Sequence, residues 1–219
     1  MEIKYLVLIL VAFLNLLLGI FIIKRNHRSK INLYFGSLCI IGGVWTFSMF
    51  LLYNLQNLVV LDFIVRLMVA TSTLMFLLYF LFSIQYPYPY PIGRTWLVTV
   101  MPVILVIMSL LGFLTVEQLY FSDGRLIEQT IFSNFFIFSV YYIIYLFLSF
   151  YVLFRKFFVS QGTQRMQLKY ILIFSGTTFV IMTFFSVILP LINGYFKDWF
   201  SPIFTLINFF AIAYLIFRK

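Results

Sequence analysis

Few side chains in this chain of 219 residues are equipped for chemistry, and their spacing narrows what that chemistry can be. There is one histidine, His27, set among Lys24, Arg25, Arg28 and Lys30. A lone imidazole cannot build a histidine metal site, and no serine partner accompanies it in an apolar run. Cys39 is the single cysteine, so no disulfide forms within the chain, and a thiol in an apolar stretch reads as packing. The six acids are Glu2, Asp62, Glu117, Asp123, Glu128 and Asp198, and none lies inside an apolar run. That excludes a paired-aspartate protease and a carboxylate proton relay. No glycine-rich phosphate loop occurs. No catalytic residue, metal or cofactor is expected.

What remains is recognition. Arg66 is the one charge drawn into an apolar run, with Asp62 four residues before it on the same helix face and in the favourable order. It reads either as a snorkelling arginine neutralised at the interface or as a cation lining an outward pocket. Trp45, Tyr53, Asn54, Asn134, Tyr141, Tyr142, Asn193 and Asn208 fall at similar depth. Such groups either bond across helices or line an aromatic cavity for a small ligand. Asp62, Arg66, Trp45, Asn134 and Asn193 are the candidate sensing residues. At the opposite end, Arg165, Gln167, Lys169 and Arg218 are candidates for relaying a signal. Topology alone accounts for the charges there, but not for Gln164 and Gln167.

The elements that must position these residues follow from composition. The chain is 64% apolar, 22% aromatic and 10% charged. A soluble domain is about half apolar and a quarter charged, so a soluble enzyme and a nucleic-acid-binding module are excluded. The expected fold is an all-α membrane protein, a single bundle of seven transmembrane helices, with spans near 5–23, 32–54, 62–84, 96–115, 132–154, 169–190 and 201–217. Runs of this length without strict alternation are helices, not barrel strands.

The net charge of +9 is read through topology. With the amino terminus outside, the inner connections hold Lys24, Arg25, Arg28, Lys30, Arg94, Arg155, Lys156, Arg165, Lys169, Arg218 and Lys219, eleven cations and no acid. All six acids fall on the other side. The carboxyl terminus is then cytoplasmic, and the lipid bilayer is the first partner.

Local signals refine the connections. Ser201-Pro202 reads as a cap followed by a first-turn proline, and Pro190 closes the sixth span. Pro102 falls inside the fourth and is tolerated if a neighbour satisfies the carbonyl it frees. Tyr86-Pro87-Tyr88-Pro89-Tyr90-Pro91 reads as an extended, stiff connection. Ser122-Asp123-Gly124 reads as a tight turn, with a small hairpin on the outer rim. Residues 155–169 read as a basic connection broken by Gly162-Thr163.

On these residues the chain resembles the seven-helix amino-terminal sensor region of bacterial histidine kinases. The second span opens with Asn32 and runs through Phe35 to Trp45; the third carries Arg66 early; the sixth follows Gly162 with Arg165-Met166-Gln167-Leu168-Lys169 and closes on Leu189-Pro190. The resemblance implies a signal-input module of a two-component system in a bacterial cytoplasmic membrane. A kinase or signalling domain is then a partner, in cis if the chain is a fragment and in trans if it stands alone. The chain stops at Lys219 with no phospho-acceptor helix and no ATP-binding domain, so kinase activity is not carried over. A small ligand and a homodimer complete the expected partners. Two other classes compete: a small solute transporter or channel, which calls for matching prolines in two halves, and a structural or assembly subunit.

Overall fold

The computed structural model describes residues 3–91, 95–115, 117–122, 125–185 and 201–217, with only the backbone given at 95–97, 117–122, 125–130 and 132. Among the described residues the chain forms seven α-helices and one two-stranded hairpin. The helices are α1 (Ile3–Arg25), α2 (Lys30–Asn54), α3 (Leu58–Gln85), α4 (Thr95–Leu110), α5 (Phe132–Val159), α6 (Gly162–Thr183) and α7 (Ser201–Phe217). Five of them, α1, α2, α3, α5 and α6, are long and apolar enough to cross a membrane, while α4 and α7 are shorter apolar helices. Large apolar side chains such as Leu6, Phe13, Phe63, Phe147 and Val180 stand on the outer surface. A surface of this kind suits lipid.

The bundle has two ends of opposite character. At one, α1 ends in Lys24 and Arg25, α2 opens at Lys30, and α5 meets α6 through Arg155, Lys156, Arg165 and Lys169. Side-chain contacts bring the ends of α3 and α7 to the same place. At the other end lie Asp62 and the hairpin, β1 (Glu117–Ser122) antiparallel to β2 (Arg125–Thr130), paired from Glu117↔Thr130 to Ser122↔Arg125. The hairpin matches the expectation. The turn residues Asp123 and Gly124 lie outside the described residues, as do Pro190, Asn193 and Arg218.

Helix α3 sits in the middle. Its buried residues join Phe35 of α2, Leu153 of α5, Leu168 of α6 and Ile212 of α7 in the main core. A second core packs α3 against α4 and α5 around Phe80, Leu105 and Tyr141. Helices α1 and α2 approach closely because both carry glycine at the crossing. A Cβ on Gly19 would lie 2.5 Å from the Gly36 carbonyl oxygen, too close for any side chain. Apolar burial gives little drive between helices in lipid, so this close backbone contact, with the hydrogen bond from Asn32 Nδ2 to Ile22 O at 3.3 Å, helps hold the pair.

Several boundaries differ from the sequence-based expectation, each for a local reason. Helix α3 starts at Leu58, because the Asn57 side chain accepts from the Val59 and Val60 amides as an N-cap. Helix α4 stops at Leu110, short of 115. Gly112 has φ 83°, the Phe113 amide reaches back to Met108 O at 2.9 Å, and the Gly112 amide reaches Ser109 O at 3.0 Å. This is a Schellman termination. The expected connection over 155–169 shrinks to Ser160 and Gln161, since α5 runs on to Val159 and α6 opens at Gly162 with φ 58°. Pro102 does lie inside α4. The carbonyl it deprives of a helical partner is that of Val98, and the Tyr145 hydroxyl donates to it.

Candidate functional site

Three constellations are built on this frame. The first surrounds the turn that ends α4. Arg66 and Asp62 form an ion pair one helical turn apart on α3. The guanidinium lies against Gly112, where a Cβ would come within 2.5 Å of Nη1. Ser109 Oγ donates to the Arg66 carbonyl at 2.9 Å, and Asn134 Nδ2, near the start of α5, donates to Thr115 O at 2.8 Å. Asp62, Arg66 and Asn134 therefore converge on residues 109–115. The cation fastens α3 to the end of α4, with Arg66 30% and Asp62 44% exposed. Neither lines a described cavity.

The second is a cavity of about 90 Å³ between α2, α3, α5 and α6. Trp45 lines it with Ser72, Phe76, Phe138, Ser139 and Tyr142, and Met182 reaches it from α6. Of the candidate sensing residues that the structure describes, Trp45 alone lies there. The cavity's polar groups are three hydroxyls and the Trp45 indole N–H. Ser72 Oγ is used on Met68 O at 2.8 Å, and the Tyr142 hydroxyl is paired with Thr183 Oγ1 at 2.6 Å. Ser139 Oγ is buried with no hydrogen-bond partner among the described residues. A mostly apolar cleft with one open hydroxyl fits a small apolar molecule that carries a single hydrogen-bonding group. Sequence reasoning found Trp45 and Tyr142 but not Ser139, because a serine in an apolar helix gives no signal until its neighbours are placed.

The third is a clasp at the basic end. Gln167 Oε1 accepts from the Tyr86 hydroxyl at 3.0 Å, and its Nε2 donates to Leu215 O at 3.0 Å. One amide thus joins the ends of α3, α6 and α7. Tyr86 follows α3, outside the spans, and burial pushes its phenol above the ordinary value. Protonated at neutral pH as a phenol ordinarily is, it serves as the donor. This accounts for the glutamine that topology left unexplained. Arg165 lies over the Phe157 ring, 5.0 Å from its centroid, and Lys169 is exposed. Neither joins the clasp.

Beside the clasp is a residue the sequence misplaces. Lys156, expected in a basic inner connection, is 1% exposed. Its Nζ donates to the carbonyls of Ser83, Ile84, Tyr86 and Tyr88. The tyrosine–proline run is not a free spacer. It bends around this ammonium, and the Tyr88 hydroxyl also meets Ser160 Oγ at 3.0 Å.

Among the described residues no three histidine, cysteine or acidic side chains gather where a metal could be held. No known family model matches the chain, and neither does any curated protein or solved structure.

Proposed function

We propose that the chain is a membrane-embedded sensory input module of the histidine-kinase type. Its amino terminus faces outside and its carboxyl terminus the cytoplasm of a bacterial cell. One observation carries this reading. Two of the helices that line the Trp45 cavity, α3 and α6, are the two that Gln167 ties to α7. A ligand that bound one arrangement of α3 and α6 better than another would shift the balance between them. The clasp would pass that shift to the last helix, and so to a cytoplasmic kinase or signalling partner.

The cavity's hydroxyls and rings supply binding contacts, and a small ligand of low polarity is the input this reading requires. A second copy of the chain, as in a dimeric receptor, is compatible with it.

The test is a chimera in which this chain replaces the input region of a histidine kinase with a transcriptional reporter. Ser72→Leu, which fills the cavity, and Gln167→Leu, which opens the clasp, should each change basal output by about fivefold or more, a coupling of typical allosteric size. Membrane abundance should stay unchanged. Output identical to the parent in both variants would refute the sensory reading and leave a transporter, channel or assembly subunit to be tested.

A further inference from the structure

The Lys156 side chain ends in an unusual bed. Four main-chain carbonyls surround its Nζ: Ser83 at 2.8 Å, Ile84 at 2.7 Å, Tyr86 at 2.8 Å and Tyr88 at 2.6 Å. The Tyr88 ring centroid is 5.3 Å away. None of these partners is a carboxylate. An ammonium carries only three protons, so four oxygens at these distances exceed what it can satisfy one to one. The bed answers positive charge and size, not a count of donors. Carbonyl rings of this sort replace the hydration shell of potassium in ion-selective filters.

The sequence makes such a bed easy to build. Pro87, Pro89 and Pro91 contribute no N–H, so the run carries carbonyls in excess of donors. With no carboxylate present, the oxygen set favours a monovalent cation over calcium or magnesium.

We propose that residues 83–88 form a monovalent-cation site, and that Lys156 is the tethered cation filling it. When the lysine is cut back, a potassium, ammonium or small alkylammonium ion occupies the cage in its place. The site also bears on the clasp. Tyr86 gives its carbonyl to the cage and its phenol to Gln167, so the bound cation fixes the ring that holds α6 and α7.

The experiment is thermal unfolding of the detergent-purified full chain carrying Lys156→Ala, in choline, sodium, potassium or ethylammonium chloride at equal ionic strength. Choline is too bulky for the cage. In choline chloride the variant should melt on the order of 10 °C below the parent, as expected when a buried, multiply bonded charge is lost. Potassium or ethylammonium should restore at least half of that loss, while the parent barely responds to the change of salt. Lys156→Met, which refills the volume without charge, should stay low in every salt. Equal melting of Lys156→Ala in all four salts overturns the proposal, and so does a Lys156→Met variant as stable as the parent. If Lys156→Ala does not fold, reductive methylation of the parent decides. Lys24, Lys30 and Lys169 should react readily and Lys156 only on unfolding. Modification of Lys156 at the rate of the other three overturns the cage.

Discussion

Gly112 meets two demands at once. Its φ of 83° is a backbone conformation that costs an L-residue about 1–2 kcal/mol. Its Cα also rests on the Arg66 guanidinium, with 2.5 Å available to a Cβ. Gly112→Ala should therefore lower the melting temperature by about 3–8 °C, with strain and crowding adding. In an Arg66→Ala background the same change should cost less, because only the backbone strain is left. Equal costs in the two backgrounds would mean that the guanidinium does not lean on this turn. The position shows how far a residue can be read in advance. Asp62 and Arg66 announced their pairing through four-residue spacing, and Gln167 drew attention because topology had no use for it. Ser139 and Lys156 gave no such sign. A serine in an apolar helix and a lysine near a helix end are both ordinary until the fold shows that one is buried without a partner and the other is wrapped in carbonyls.

At the scale of the element, α4 offers the cleanest case of one helix completing another. Proline at 102 leaves the Val98 carbonyl without its helical donor, and Tyr145 of α5 supplies the missing bond. Tyr145→Phe should cost about 1–3 kcal/mol, the range for a buried acceptor left unpaired. Pro102→Ala restores the intrahelical N–H, so in that background Tyr145→Phe should cost little. A double-mutant cycle on thermal or denaturant unfolding measures this coupling, and strict additivity would refute it. The seven helices were legible from apolar run length, although among the described residues only five are long enough to cross a membrane. Their ends were less so. Caps such as Asn57 and the Gly112 termination are set by a few backbone bonds that hydropathy does not register. The extension of α5 to Val159 is what puts Lys156 on a helix, against the tyrosine–proline run, instead of in the expected connection.

For the whole molecule the governing feature is the polarity of the bundle along its axis. Helix α1, at 23 residues, is about 35 Å long and α3, at 28, about 42 Å. Both exceed a hydrocarbon layer of roughly 30 Å, long enough for their ends to reach the headgroups of a bilayer they crossed. The two ends are unlike. Lys24, Arg25, Arg28, Lys30, Arg155, Arg165 and Lys169 ring one end, while Asp62, Glu117 and Glu128 mark the other. Lys156 does not add to this ring, because it is buried among backbone carbonyls and burial lowers its pKa to about 7, yet the imbalance stands without it. Retention of basic loops on the cytoplasmic side then predicts a single orientation. In a Cys39→Ala background, Glu128→Cys should react with a membrane-impermeant maleimide on intact cells, and Lys30→Cys only after permeabilisation. Reaction of both on intact cells, or the reverse order, would break the proposed orientation. It would also place the Gln167 clasp and the end of α7 on the far side from any cytoplasmic partner. The sensory reading depends on this sidedness more than on any single contact, because a signal handed to α7 is useful only if that helix ends where its receiver is.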